Sequence, residues 1–151
     1  MAGIKFSAVT GENLTTTSAK TLLQIVAPAN QRVLVKGVSV SFKGITPTDP
    51  PIKVDVLRQT TAGTMSALTC AKRSDSSATA ETVQTTAQQN ATAEPTAGDV
   101  LWSRETPGQF GQTEYFPFDD PIHVPGGTRL GLRVTNGGTS INAIAQFDCE
   151  E

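Results

Sequence analysis

Apolar residues in this chain recur at every second position rather than at helical spacing, and that periodicity is what most constrains its fold. A period of two places successive side chains on opposite faces of a strand, whereas no sustained i, i+3, i+4, i+7 pattern is present. In Arg32 to Phe42, Val38, Val40 and Phe42 share one face, and Ser39 and Ser41 take the other. Ile52 to Arg58 repeats the pattern through Ile52, Val54 and Val56, and Leu130 to Val134 alternates likewise. Ile141 to Phe147 is mostly apolar with one slip in phase, which predicts a bulge near Ala143 or Ala145. Further strands are expected over Lys5 to Val9, Thr21 to Ala27, Thr79 to Ala87, Val100 to Arg104 and Tyr115 to Phe118.

Turn chemistry separates these runs. Ala27-Pro28-Ala29-Asn30, Thr46 to Pro51, Pro95 to Asp99, Thr106-Pro107-Gly108, Pro125-Gly126-Gly127 and Asn136-Gly137-Gly138 each supply a fixed φ from Pro or a positive φ from Gly or Asn. The expected fold is all-β: a single-domain β-sandwich or jelly roll of roughly eight short antiparallel strands. Residues 1–18 read as an amino-terminal arm or first strand, and residues 19–151 as the jelly-roll domain. A chain of 151 residues can bury a core without disulfides or metals. From Ser74 to Ala97 the sequence is rich in Ala, Thr, Gln and Ser, with Val83 its main large apolar residue. That composition suits small-side-chain strands at an edge or against a neighbouring subunit, or else a mobile surface excursion.

Charge and residue inventory narrow the function. Twelve Lys and Arg against 14 Asp and Glu give a net charge of -2 with no block of like charge, so nucleic acid is not an expected partner. No segment approaches the roughly 20 apolar residues of a membrane span, and Met1 to Phe6 has no charged-then-apolar export pattern, so synthesis in a cytoplasm without membrane insertion is expected. Cys70 and Cys149 match neither a CxxC redox pair nor a zinc site and are expected as reduced thiols. A single histidine, His123, leaves too few imidazoles for a two-His metal site, and its place between Pro121 and Pro125 suits a short strand or turn better than a triad. Asp119 and Asp120 are adjacent and would face opposite ways in a strand, so no glycosidase-type carboxylate pair is visible. No cofactor is expected, and the chain is read as a non-enzyme.

Aromatic residues concentrate in one stretch: Trp102, Phe110, Tyr115, Phe116 and Phe118. Trp102, Phe110 and Tyr115 are candidates for binding outside the chain, as platforms for a sugar or anchors in a protein interface. Phe110, flanked by Gly108-Gln109 and Gly111-Gln112, is the strongest of these, and the competing expectation makes Trp102, Phe116 and Phe118 core residues.

Leu23 to Lys36, Pro51 to Thr60 and Val124 to Leu132 together resemble a family of small structural proteins of tailed bacteriophages that decorate or cement the capsid. The resemblance runs from Gly3 to Glu151 and is carried by strand-and-turn patterns. It implies a jelly-roll-type trimer on the outside of the virion head, tying neighbouring major capsid proteins together. It further implies that the amino-terminal arm contacts the capsid, which makes Ile4, Lys5 and Phe6 capsid-contact candidates, with Ile4 to Val9 as a plain first strand the competing reading. The alternative function is a receptor- or carbohydrate-binding module of a tail fibre or virion surface, with a host-surface glycan as partner.

Overall fold

The computed structural model describes residues 3–15, 17–73 and 81–151. Among them are thirteen strands: β1 (Lys5–Val9), β2 (Asn13–Thr15), β3 (Lys20–Val26), β4 (Val33–Lys43), β5 (Ile52–Gln59), β6 (Thr64–Leu68), β7 (Ala71–Lys72), β8 (Thr86–Ala93), β9 (Ala97–Thr106), β10 (Gln112–Tyr115), β11 (Ile122–Val124), β12 (Arg129–Thr135) and β13 (Ile141–Glu150). They form two antiparallel sheets packed as a β-sandwich. One sheet runs β10-β4-β13-β1-β7, with β11 also on β4 and β2 on β13, and the other runs β6-β8-β3-β12-β5-β9. The excess over eight comes from short pieces without an apolar repeat of their own, such as β2, β6 and β7.

The alternating residues meet between the sheets. Phe6, Ala8, Val38, Val40, Ala145 and Phe147 belong to the first sheet, and Leu23, Ile25, Val54, Val56, Leu130 and Leu132 to the second, and all are buried. Phe6 and Phe147 are fully closed to solvent. Each contributes roughly 2–3 kcal/mol through the apolar area removed from water.

Lys5–Val9 therefore forms the first strand. Lys5 to Val9 pair with Glu150 to Gln146, and the Ile4 and Glu151 backbones exchange hydrogen bonds of 2.9 and 3.0 Å that continue the ladder. Burial of Phe6 and Ala8 on the inner face holds this segment in the sheet.

The phase slip lies elsewhere than the sequence suggests. Ile141, Ala143, Ala145 and Phe147 all point inward in strict alternation, Ile144 faces out, and the pairing with β4 is continuous from Asn142 to Asp148. The register shifts one step later, where Asp148 opposes Gly37 and Cys149 opposes Val35, so that Lys36 is the extra residue on β4. This bulge lets Val33 and Val35 on one side of it, and Val38 and Val40 on the other, face the same core although their spacing breaks the period of two.

The polar segment is likewise placed differently. Its strand is Thr86–Ala93 rather than Thr79 to Ala87, of which residues 79 and 80 lie outside the described residues. It sits inside the second sheet between β3 and β6, with Ala87 and Ala91 buried. Strands β5 and β6 on one side and β9 and β8 on the other make a single long ribbon, with Gln59 opposite Ala97 and Thr64 opposite Ala93. The ribbon folds at residues 60–63 and 94–96, where Thr60 N donates to Thr96 O at 3.0 Å and Thr96 N to Thr61 Oγ1 at 2.8 Å. Folding there encloses a polar group on the face of the second sheet turned away from the core. Gln24 Nε2 donates to Gln59 Oε1 at 2.7 Å and to Thr61 O at 3.1 Å, and Gln59 Nε2 donates to Thr21 Oγ1 at 2.9 Å.

Candidate functional site

The bulge at Lys36 and Gly37 also shapes the outer face of the first sheet. In a bulge of this kind the two consecutive residues opposing one partner turn their side chains to the same side. Lys36 therefore projects outward, while Gly37 beside it leaves a gap that Tyr115 on β10 fills from the paired position. The result is a cleft of about 620 Å³ lined by Lys5, Lys36, Arg73, Tyr115, Phe118, Asp148, Cys149 and Glu150.

Three strands and the residue that follows a fourth supply its charges. Lys5 on β1 stands opposite Glu150 on β13, so both project from the same face. Lys36 Nζ lies 3.6 Å from Glu150 Oε2 and 4.9 Å from the centre of the Phe118 ring, held between an anion and an aromatic face. Arg73, just after β7, places NH1 3.2 Å from Asp148 Oδ1 and donates its backbone N–H to Lys5 O at 2.7 Å. The same Asp148 oxygen accepts from Ser7 Oγ at 2.9 Å and Gln146 Nε2 at 2.8 Å, while Glu150 Oε1 accepts the Gly3 N–H at 2.9 Å. Lys5 has no ion-pair partner among the described residues.

The residues singled out from sequence fall into three groups. Lys5 and Tyr115 meet in this cleft, Tyr115 with 70% of its surface exposed. Phe110 is 85% exposed but sits apart from the cleft, on the turn where its N–H donates to Pro107 O at 3.2 Å. The remaining candidates are constrained by packing: Phe6 lies in the core and cannot present its ring to a partner, Ile4 is half-buried beside Glu151, and Trp102 packs against the core with Arg104 5.8 Å above its ring.

Phe118, expected with Trp102 and Phe116 in the core, is instead 89% exposed, whereas Phe116 does pack against the core. Pro117 and the Asp119-Asp120 pair break any alternation around Phe118, and the Asp120 N–H closes a turn on Pro117 O at 3.0 Å that carries its ring outward. Lys36, Arg73, Asp148 and Glu150 were not identified from sequence. The interrupted phase between Val35 and Val38 was the available signal for Lys36, whereas Arg73 joins only through the pairing of β7 with β1.

The other chemical candidates keep apart. His123 is exposed on β11 opposite Leu34, and among the described residues no group of three or more His, Cys, Asp or Glu is arranged to hold a metal ion. Both cysteines are free, and β1 runs between them: Cys149 opposes Phe6 on one side, and Cys70 immediately precedes β7 on the other. Two strand spacings amount to roughly 9.6 Å, beyond the roughly 7 Å that a disulfide spans. Burial pushes the Cys149 thiol well above its usual range and the Cys70 thiol up to about 11, and nearby negative charge, including Glu151, adds to both.

Strand β9 is the other unusual surface. It ends the second sheet, bears two register shifts against β5, and leaves Val100 and Leu101 47% and 41% exposed. Comparison with protein families, with curated protein sequences and with solved structures gave no match.

Proposed function

We propose that this chain is a non-enzymatic structural protein of a bacteriophage virion, made in the host cytoplasm, that decorates the outside of the head and stabilises it by bridging major capsid proteins. The observation that carries the reading is the exposure of large apolar side chains on a well-packed sandwich: Phe110, Tyr115 and Phe118 are 85%, 70% and 89% exposed. Aromatic side chains of this kind are the usual anchors of protein interfaces. Edge strand β9, with Val100 and Leu101, adds apolar surface and open backbone hydrogen-bonding groups. A protein that binds the assembled shell and not its released subunits stabilises the particle by mass action and needs no cofactor. Trimeric assembly is part of the proposal on the strength of the resemblance to decoration proteins and the preference of homo-oligomers for closed symmetry.

The test is copy number. Quantified against the major capsid protein in purified virions, the chain is expected in a stoichiometry near one to one. A handful of copies, or none, would overturn the head-decorating role. Phe110→Ser together with Phe118→Ser is expected to lower occupancy while leaving the fold intact, because both rings are largely exposed and outside the core.

A second reading is favoured by one observation: Tyr115 and Phe118 line a cleft together with charged groups rather than a flat apolar patch. That arrangement suits a glycan-binding module of a virion surface or tail fibre.

A further inference from the structure

The geometry points to a carboxylated sugar as the ligand of the cleft, its carboxylate held by Lys5 and Arg73 and its ring lying against Tyr115 and Phe118. This assignment deepens the glycan-binding reading and rests on it.

The cations carry the first step. Lys5 has no ion-pair partner among the described residues, so an anion in the cleft would meet a charge that none of those residues neutralises. Arg73 touches Asp148 through one nitrogen at 3.2 Å, while Asp148 is already served at shorter range by Ser7 and Gln146. The Arg73 side chain is 56% exposed, and among the described residues Asp148 is its one ion-pair partner, which leaves most of its five N–H donors for a ligand. Lys36 plays a different part, because Glu150 and the Phe118 ring hold it from two sides and it fixes the position of that ring.

The remaining lining decides between a sugar and a simple anion. Asp148 and Glu150 bring carboxylate oxygens to the same wall as the cations, and sugar hydroxyls both donate to carboxylates and accept from Lys and Arg. Tyr115 and Phe118 offer apolar surface to the C–H face of a pyranose ring. The volume of about 620 Å³ falls among those of small-ligand clefts and favours a ligand of sugar size over an extended peptide.

Tyr115 is the chain's single tyrosine, so in a tyrosine-labelled sample of the full chain its ring resonances report on this cleft alone. Sodium D-glucuronate is expected to shift them saturably, and D-glucose to bind several-fold more weakly. Lys5→Gln and Arg73→Gln are each expected to weaken glucuronate binding about tenfold, the loss of one charge-assisted hydrogen bond. Lys43→Gln, at the end of β4 and outside the cleft, should leave binding unchanged. Sodium acetate binding as well as glucuronate would overturn the sugar assignment. Glucose binding as well as glucuronate would overturn the role of the carboxylate while leaving glycan binding standing. No shift with either sugar would overturn both, and a shift with a short polyglutamate peptide alone would replace them with protein docking.

Discussion

Gly37 and Tyr115 stand opposite each other across β4 and β10, and a Cβ on residue 37 would come within 2.8 Å of Tyr115 Cδ1 and 3.1 Å of Cε1. The glycine's missing side chain is thus the space the ring occupies, and the bulge that turns Lys36 and Gly37 to the same side makes that space part of the cleft.

Gly37→Ala should displace the Tyr115 ring rather than unfold the protein, because the ring is largely exposed and has solvent to move into. The expected cost is about 1 kcal/mol, at the low end for overpacking. Ring resonances identical to those of the unsubstituted protein would contradict the contact.

Gly131→Ala should be far more damaging. A Cβ there would strike the side-chain amide of Gln59, which is 5% exposed and tied to Gln24 and Thr21. Overpacking combined with a broken buried hydrogen bond predicts a loss of about 2–4 kcal/mol in urea unfolding. The same substitution in a Gln59→Ser background should cost markedly less, since the two positions share one space. Strict additivity would show that the clash is not the cause.

Asp55 on β5 is 1% exposed and depends on Arg133 NH2 at 3.1 Å, with Ser103 Oγ donating at 2.6 Å and Lys53 at 3.6 Å. Arg133→Met leaves a buried carboxylate facing one hydroxyl and a half-exposed lysine, and should destabilise the protein by about 3 kcal/mol. Arg133→Met with Asp55→Asn should recover part of that loss, because the uncompensated charge is gone. Equal stability of the single and double variants would refute this account.

The thiols give stability a definite pH dependence. Cys70, at about 11, and Cys149, raised well above the usual value, both hold their protons more tightly in the folded chain than in the unfolded one. Their contribution is fully present below the unfolded pKa of about 8.5 and is lost as pH rises through that value toward the folded ones. Chemical denaturation from pH 8 to 10.5 should therefore show falling stability, with a shallower fall in Cys149→Ala relative to its own value at pH 8. A thiol reagent should modify Cys149 far more slowly in the folded chain than in urea, and equal rates would contradict its burial.

The class of fold and most of the long strands follow from local residue patterning alone. A period of two in Ile52 to Arg58 or Leu130 to Val134 can satisfy a buried face only as a strand, and Pro and Gly at the turns limit where strands begin and end. Features that depend on pairing partners emerge only once the strands are assembled into sheets. The slip expected at Ala143 or Ala145 lies at Lys36, because the outward-facing Ile144 makes β13 look out of phase although its inward alternation is unbroken. Within the Ala- and Thr-rich stretch, Thr86–Ala93 became an interior strand because β3 and β6 pair with it on both sides, a gain that its side chains do not record. The cleft gathers Lys5, Lys36, Arg73 and Glu150 from strands distant in the chain, and their convergence follows from register. Local patterning fixes which face a residue takes, whereas long-range hydrogen bonding fixes which residues share that face.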